Sequence, residues 1–249
     1  MNIVAIIQAR MGATRLPGKV LFDLVGKSVL ERVIDRVKAG RYINEVTVAT
    51  TNNEEDLAIV MICNRIGIRV YCGKEEDVLD RYYQASQLFE ADQIVRVTAD
   101  CPLIDPGVID QVISLHLESA AEYTSNVLKY TYPDGEDVEV FSSRTLEKIW
   151  KSARLKSERE HVTMYIRKNP ALFKLESLEY KEDLSDKRWT LDEPSDYEFI
   201  KIIYSNLYSG NRIFSMNDVL KLLREFPGIE DTNRHIRRNE GYLKSLRND

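Results

Sequence analysis

The stretch IVAIIQARMGATRLPGKVL, residues 3–21, decides the fold of this chain. Its first five residues, Ile3 to Ile7, form a continuous apolar run, which predicts a β-strand buried on both faces. A loop with two glycines and the cations Arg10, Arg15 and Lys19 follows at once. The loop after the first buried strand of an α/β protein commonly binds phosphate. The stretch therefore predicts an anion site in an α/β fold, although it matches neither the Walker A pattern nor GxGxxG.

Residues 28–97 continue with alternating helix and strand signals. Runs rich in β-branched residues predict strands, and segments with apolar residues every three or four positions predict helices. Ser28 and Glu31 have the spacing of a capping box at the first helix. The alternation predicts a mostly parallel sheet that is covered on both faces. The predicted strands are 45–50, 67–71 and 93–97, and the predicted helices are 28–38, 53–65 and 77–89.

Three polar loops follow predicted strands of this sheet, at residues 10–19, 50–53 and 98–105. The carboxyl ends of parallel strands lie at one edge of a sheet, where α/β proteins bind their ligands. We therefore expect the three loops to converge on one site, although they are far apart in the sequence.

From about residue 120, short strand signals replace the alternation of strands and long helices. Short strand signals at 138–141, 172–180 and 188–191, with a turn at Asp134–Gly135, predict an antiparallel extension of the sheet. This extension, at about 120–190, is expected to form an acceptor-binding wall or a dimer surface. Residues 212–249 predict a helical tail with a turn at Pro227–Gly228. Since no linker or repeat interrupts the chain, residues 1–249 are expected to form a single domain.

The composition narrows the class of protein. The 249 residues are 43% hydrophobic and 30% charged, which is typical of a globular protein, and the net charge of −5 argues against nucleic-acid binding. No apolar run is long enough to span a membrane, and no signal peptide is recognised, so we expect a cytoplasmic protein. The three cysteines show no CxxC spacing and are expected to be reduced thiols.

Three segments resemble the nucleotide-sugar cytidylyltransferases, the enzymes that activate keto-sugar acids with CTP. They are IIQARMGATRLPGK at 6–19, VRVTADCPLIDP at 95–106 and RWTLDEPSDYEFI at 188–200. DGEDVEVFS at 134–142 and REHVT at 159–163 resemble the branch of spore coat polysaccharide biosynthesis protein F, which is homologous to CMP-KDO synthetase. The resemblance runs from about residue 2 to residue 205. It implies a Rossmann-like nucleotide-diphospho-sugar transferase fold with a small dimerisation extension, and therefore a homodimer.

Nucleotidyl transfer requires charge stabilisation around a triphosphate. Arg10, Arg15 and Lys19 would supply the positive charge, and Gly12 would let the backbone approach the phosphates. The alternative is a surface loop with three solvated cations. The resemblance favours the first interpretation and makes Arg10, Lys19 and Asp100 the candidate catalytic residues.

A triphosphate site usually contains Mg²⁺, held by one or two carboxylates and by phosphate oxygens. Asp100 follows a buried strand and is the first candidate ligand; the alternative is a turn-forming aspartate before Cys101–Pro102. The resemblance favours Asp192 as the second ligand. Asp105 is better explained as a helix start. The same holds for Glu193, Asp196 and Glu198 around Pro194.

The remaining nucleotide contacts are implied by the resemblance. Residues 75–85, EEDVLDRYYQA, depart from the SGTDR pattern of CMP-KDO synthetase. Arg81 could therefore contact the nucleotide or be an exposed helical residue paired with Asp77. The other candidates lie at the ends of predicted strands and are Gln8, Ala9, Thr51, Asn52 and Thr98.

The acceptor is expected to contact the second half of the chain. Asp137 and Glu139 alternate with valines, so both carboxylates share one strand face and could bind sugar hydroxyls or lie in solvent. Arg159 could bind an acceptor carboxylate or phosphate, and His161 could orient or deprotonate its hydroxyl, unless the histidine is structural. Glu160 lies between them.

The resemblance therefore implies a Mg²⁺-dependent enzyme that activates a sugar acid of the KDO, sialic, pseudaminic or legionaminic type as a CMP-sugar and releases pyrophosphate. Its partners would be CTP and a small anionic sugar-type acceptor. The alternatives are another nucleoside triphosphate, a phosphate or phosphonate acceptor, or nucleotide binding without catalysis.

Overall fold

The structure, a computed structural model, describes residues 1–210, 212–236 and 238. The strands in these ranges belong to one sheet. They are β1 (Ile3–Gln8), β2 (Glu45–Thr51), β3 (Arg69–Gly73), β4 (Gln93–Thr98), β5 (Tyr123–Ser125), β6 (Glu139–Ser142) and β7 (Leu175–Ser177).

The strand order across the sheet is β3-β2-β1-β4-β6-β5-β7. The first four strands in this order run parallel to each other, and β5 runs parallel to β7. β6 pairs antiparallel with both β4 and β5. The mixed α/β, mostly parallel sheet that the sequence predicts is confirmed, but the extension contains only one antiparallel strand among the described residues. Residues 188–191 form no strand, and Arg188 makes a single bridge to Asp134.

Helices cover both faces of the sheet, and β1 shows how the two faces divide. Ile3, Ala5 and Ile7 belong to one hydrophobic cluster, whereas Val4 and Ile6 belong to the other. The first cluster packs against α1 (Val29–Lys38), α2 (Leu57–Arg65), α4 (Pro106–Ser119), α8 (Pro194–Leu207) and α9 (Met216–Glu225), and the second against α3 (Val78–Leu88), α5 (Ser143–Ser152) and α7 (Met164–Lys168). The short helix α6 (Lys156–Glu160) lies between α5 and α7 in the sequence.

Local capping explains where several helices begin. Ser28 and Glu31 form the predicted capping box at α1. Asp105 accepts a hydrogen bond from Gly107 N at 2.6 Å and caps α4, which confirms its interpretation as a helix start. Asp196 accepts from the backbone N–H groups of Asp192 and Glu193 at the beginning of α8. The last two caps fix the backbone immediately before α4 and immediately before α8.

Short 3₁₀ turns complete the chain at Lys19–Leu21, Glu54–Asp56, Pro170–Leu172 and Pro227–Thr232. The predicted helical tail at 212–249 begins with α9, and the turn at Pro227 is observed. The rest of that prediction falls largely on 237 and 239–249, which lie outside the described residues. None of the described helices has the length and apolarity needed to cross a bilayer.

Candidate active site

A cavity of about 570 Å³ opens at the carboxyl ends of β1 and β4, and we call it the strand-end cavity. It brings together segments that are far apart in the sequence, as the strand-end argument predicts. Nine of the predicted site residues line it: Gln8, Ala9, Arg10, Arg15, Lys19, Thr98, Asp100, Glu160 and Asp192.

Lys19 is the centre of this cavity. Gly18 adopts the left-handed conformation (φ 70°), which favours glycine and turns the loop into the 3₁₀ turn that begins at Lys19. The Lys19 ammonium donates to Asp100 Oδ2 at 2.8 Å, to Asp192 Oδ1 at 2.8 Å and to the Leu191 carbonyl at 2.7 Å. Burial alone would lower the pKa of Lys19, but attraction to the two carboxylates outweighs it and raises the pKa. The lysine therefore stays charged and joins two loops.

Asp100 and Asp192 are the predicted metal ligands, and they face the same ammonium. Burial would raise the pKa of Asp100, but Lys19 lowers it to about 2. Asp100 is therefore ionised at neutral pH, as a metal ligand must be. Within 1–210, 212–236 and 238, no group of three or more His, Cys, Asp or Glu side chains is arranged to hold a metal. Two carboxylates match the usual protein share of a Mg²⁺ site, in which phosphates and water provide the other ligands.

Arg10 and Arg15 lie at the wall of the cavity, each beside a carboxylate. Arg10 contacts Glu75 at 3.2 Å, and Arg15 contacts Asp192 at 2.8 Å and Glu193 at 3.2 Å. These side chains are between 25% and 39% exposed, so solvent and ligands can reach the pairs. The described lining contains four cations and five carboxylates. The cavity therefore has no excess of positive charge for a polyanion.

Asp56 supports the cationic loop, and sequence reasoning missed this role. Its buried carboxylate accepts from Met11 N at 2.7 Å, from Thr50 Oγ1 at 3.0 Å and from Thr51 N at 3.0 Å. Thr51 is thereby occupied in tying β2 to the loop, whereas Asn52 is exposed, and neither residue lines the cavity. An acidic residue near a helix start is also explained by the helix dipole, so the sequence carries no separate signal for this contact.

Arg81 and Gly12 do not line the strand-end cavity, and Gly12 is exposed. Arg81 is 1% exposed, which overturns the alternative of an exposed helical residue paired with Asp77. Its Nε, Nη1 and Nη2 atoms make no hydrogen bond in the described part of the chain, and burial lowers its pKa. A Cβ atom at Gly12 would lie 3.4 Å from Oε1 of Glu75, the partner of Arg10. Nucleotide contact by Arg81 and Gly12 stays a prediction.

A second cavity, of about 180 Å³, adjoins the first, and we call it the side cavity. Thr98 lines both cavities and marks where they meet. Asp137, Glu139 and His161 line the side cavity, as do two arginines that sequence reasoning missed, Arg96 and Arg167. Neither arginine stands in a recognisable motif, so only the folded arrangement reveals them.

Glu139 forms the floor of the side cavity and is 3% exposed. It is paired with Arg96 and accepts from Tyr123 Oη and Thr163 Oγ1, both at 2.5 Å. Burial would raise the pKa of Glu139, but Arg96 and these hydrogen bonds lower it. The alternative of a solvated strand face is wrong for Glu139, and its contacts describe a structural ion pair.

Asp137 and Arg159 also have partners within the protein. Asp137 pairs with Arg238 at 2.6 Å, and burial raises its pKa. Arg159 donates to Asp77 Oδ2 and to the Trp150 carbonyl, and it lines neither cavity. The predicted acceptor group is therefore divided: Glu160 lines the strand-end cavity, His161 and Asp137 line the side cavity, and Arg159 lies outside both.

A profile of the cytidylyltransferase family matches residues 4–221. The chain belongs to this family. It is 35% identical over 234 residues to spore coat polysaccharide biosynthesis protein SpsF of Bacillus subtilis, which covers 91% of this chain and 95% of that protein. It is 36% identical to the 3-deoxy-manno-octulosonate cytidylyltransferase of Geobacter sulfurreducens over 121 residues, 49% of this chain and 48% of that one. The solved structure of a cytidylyltransferase from Leptospira borgpetersenii serovar Hardjo-bovis matches 96% of this chain and 100% of its own, with 34% identity and a TM-score of 0.89.

Membership in the cytidylyltransferase family identifies the reaction class as nucleotidyl transfer. The position of the strand-end cavity in this cytidylyltransferase fits that class, because its cations and carboxylates lie where α/β folds bind nucleotides. The side cavity adjoins it at Thr98, so a group bound there would lie next to the nucleotide.

Proposed function

We propose that this cytidylyltransferase transfers CMP from CTP to a hydroxyl group of a sugar acid and releases pyrophosphate. The observation that carries the proposal is the Lys19 ammonium held between Asp100 and Asp192 in a cavity that meets a second, arginine-lined cavity at Thr98. The strand-end cavity would bind CTP, and the side cavity would bind the acceptor.

The charges of the strand-end cavity favour a Mg²⁺-dependent reaction. CTP carries about four negative charges at neutral pH, while the lining has no excess of cations. Mg²⁺ would neutralise part of this charge and would be held by Asp100 and Asp192 together with phosphate oxygens. Arg10 and Arg15 would bind the remaining phosphate oxygens, since arginine binds phosphate through two N–H groups. Lys19, which donates to Asp100, Leu191 and Asp192, would act as a point charge.

Arg167 is the best candidate for binding the acidic group of the acceptor. Its Nη2 atom donates to Tyr130 Oη at 2.9 Å, which fixes the guanidinium beside the side cavity. Its Nε and Nη1 atoms make no hydrogen bond in the described ranges and stay free to donate to a carboxylate. Arg159 donates its hydrogen bonds to Asp77 and Trp150. Arg167 is therefore the better candidate for binding the acidic group of the acceptor, the role that the sequence predicted for Arg159.

The chemical step is a displacement in which one bond to phosphorus forms and another breaks. The acceptor hydroxyl oxygen attacks the α-phosphorus of CTP, the bond from that phosphorus to the β-phosphate oxygen breaks, and pyrophosphate leaves. The hydroxyl proton passes to a base, for which His161 at the side cavity is the candidate. Lys19 stabilises the negative charge that develops on the phosphate oxygens.

The test is a matrix of CTP, UTP, GTP and ATP against KDO, sialic, pseudaminic and legionaminic acids and a phosphonate such as 2-aminoethylphosphonate, with and without Mg²⁺. Pyrophosphate release and product mass are measured. We expect release with CTP and a sugar acid only when Mg²⁺ is present. Turnover with UTP but not CTP would contradict the proposed nucleotide. Turnover with the phosphonate but with no sugar acid would contradict the proposed acceptor. No release from any pair would favour nucleotide binding without catalysis.

We further propose a homodimer, which the resemblance implies, and a cytoplasmic location, which the hydropathy of the sequence leads us to expect. Analytical ultracentrifugation of the full chain tests the first part, since a mass equal to one chain at micromolar concentration would contradict it.

A further inference from the structure

A third cavity, of about 230 Å³, lies between α1, α8 and the segment that leads into α9, and we call it the rear cavity. It shares no described lining residue with the strand-end cavity or the side cavity. Its lining includes the cations Lys27, Arg32, Arg36 and Arg212, whereas Asp35 is the single carboxylate that it includes among the described residues. Because Asp35 pairs with Lys27 at 2.6 Å, three positive charges remain without a compensating charge in the lining.

Arg32 and Arg36 are the unusual members of this group, since they are 4% and 3% exposed. Buried charges are normally paired with opposite charges, because an isolated buried charge loses its hydration. Within 1–210, 212–236 and 238, neither arginine lies in a salt bridge. Arg32 donates to the carbonyls of Leu24 and Val25, and Arg36 donates to those of Leu103, Ile104 and Phe214.

These contacts leave one donor unused on Arg32. Its hydrogen bonds come from Nε and Nη2, and its Nη1 makes none in the described part of the chain. Arg36 also forms a side-chain hydrogen bond with Tyr204, another residue of the cavity lining. Aromatic rings stack on the flat faces of the two guanidinium groups. The guanidinium carbon of Arg32 lies 4.1 Å from the centre of the Tyr208 ring, and that of Arg36 lies 4.5 Å from the centre of the Phe214 ring. Stacking fixes the plane of a guanidinium, so its free N–H groups point along that plane.

We propose that the rear cavity binds a small phosphate-type anion, either inorganic phosphate or the monoester of a small sugar. A tetrahedral dianion has an oxygen for the unused Nη1 donor of Arg32, and its charge would compensate Arg32 and Arg36. Arg212, on the exposed edge of the cavity, would add a third contact. This anion site is separate from the triphosphate site that we propose at Lys19.

The rear cavity lies behind both loops of the strand-end cavity. The carbonyls that Arg32 holds are five and six residues beyond Lys19, and the Leu103 and Ile104 carbonyls held by Arg36 are three and four residues beyond Asp100. Tyr204, another lining residue, donates to the Pro102 carbonyl at 2.7 Å. An anion bound here would therefore contact the side chains that hold the Lys19 and Asp100 loops.

The binding test uses isothermal titration calorimetry of the full chain with inorganic phosphate and with ribose 5-phosphate. Arg212→Glu reverses an exposed charge at the cavity and should weaken binding by about tenfold, because charge-assisted contacts to an anion are strong. Lys201→Glu reverses an exposed charge on α8 outside the cavity and should leave binding unchanged. Arg32→Lys retains the charge but loses the planar group, and it should also weaken binding. Tighter binding of the ester than of phosphate would identify a phosphorylated metabolite as the ligand, and equal binding would identify phosphate itself.

A location test separates this site from the strand-end cavity. Crystals soaked in tungstate, a tetrahedral dianion with strong anomalous scattering, should show a peak beside Arg32 and Arg36. Binding that Arg15→Ala abolishes while Arg212→Glu and Arg32→Lys leave it unchanged would overturn the proposal, as would a tungstate peak only at Lys19 or no measurable heat with either anion.

Discussion

The strand-end cavity and the side cavity meet at Thr98 but hold their charges in different ways. At the strand-end cavity, the pairs of Arg10 and Arg15 are between 25% and 39% exposed. At the side cavity, the Glu139 side chain that pairs with Arg96 is only 4% exposed. Exposed pairs cost little to separate, whereas breaking a buried pair leaves an uncompensated charge. The first cavity can therefore exchange partners with a charged ligand, while the second offers a fixed frame with a few unused donors.

The largest expected effect is on catalysis at the strand-end cavity. Asp100→Asn removes a proposed metal ligand and one counter-charge of Lys19 at nearly constant shape. We expect turnover to fall by at least roughly a thousandfold, with the fold retained, because charge stabilisation dominates such reactions. Pyrophosphate release and circular dichroism measure the two effects, and Asp231→Asn, an exposed change, is the control. Normal turnover in the Asp100 variant would show that the aspartate is not a metal ligand.

The second prediction concerns the fixed frame of the side cavity. Glu139→Gln leaves the partly buried Arg96 without a counter-charge, so urea unfolding should show a loss of about 3 kcal/mol. The matched control is Glu179→Gln, which removes an exposed pair with Lys129 and should cost less than about 1 kcal/mol. If the Glu139 variant kept its stability and instead raised the KM for the acceptor, Glu139 would be a substrate ligand, as the sequence predicts.

The third prediction distinguishes Arg167 from Arg159 as the arginine that binds the acceptor. Arg167→Gln should raise the KM for the sugar acid by about 10- to 100-fold and leave the KM for CTP unchanged, since it removes a charged hydrogen-bond donor from the side cavity. Arg159→Gln should lower stability through its contact with Asp77, with little effect on the acceptor. The reverse outcome would restore the acceptor role that the sequence assigned to Arg159.

The smallest effect lies away from both cavities, where His116 of α4 contacts Gln93 of β4 and Thr124 of β5, both at 3.0 Å. Burial lowers the pKa of His116 to about 4. The unfolded chain therefore binds a proton first as the pH falls below about 6.5, and stability is lost between that pH and about 4. By pH 5 the loss should reach about 2 kcal/mol.

Unfolding of His116→Gln at several pH values tests this assignment. The variant should lose the part of the pH dependence that lies between about 4 and 6.5. His235→Gln, at an exposed position, should retain the full dependence. Identical profiles for the wild type and the His116 variant would contradict the role of this histidine.

The sequence predicted the first half of the molecule well for a physical reason. β1 begins with a continuous apolar run, β2 and β4 are rich in β-branched residues, and the Ser28–Glu31 capping box depends only on local spacing. The strand-end rule then placed Lys19 and Asp100 together before any contact was known.

The second half depends on contacts between distant residues, which periodicity does not report. The alternation around Glu139 predicted a shared strand face, but its burial depends on Arg96, 43 residues away. Arg159 stands in a family-like motif, yet its position is fixed by Asp77, 82 residues away. The local pattern therefore identified these charged residues as candidates but did not predict the distant residues that they contact.

The position of β6 has a consequence for how the chain folds during synthesis. β6 separates β4 from β5 in the sheet, although it follows both in the sequence. The outer edge of β4 consequently has no strand partner until residues 139–142 leave the ribosome, and β5 and β7 cannot join the sheet before then. An open strand edge on a nascent chain is a site for aggregation. A chain interrupted before Glu139 would retain Lys19 and Asp100 but lose Leu191 and Asp192, and it would present that edge permanently.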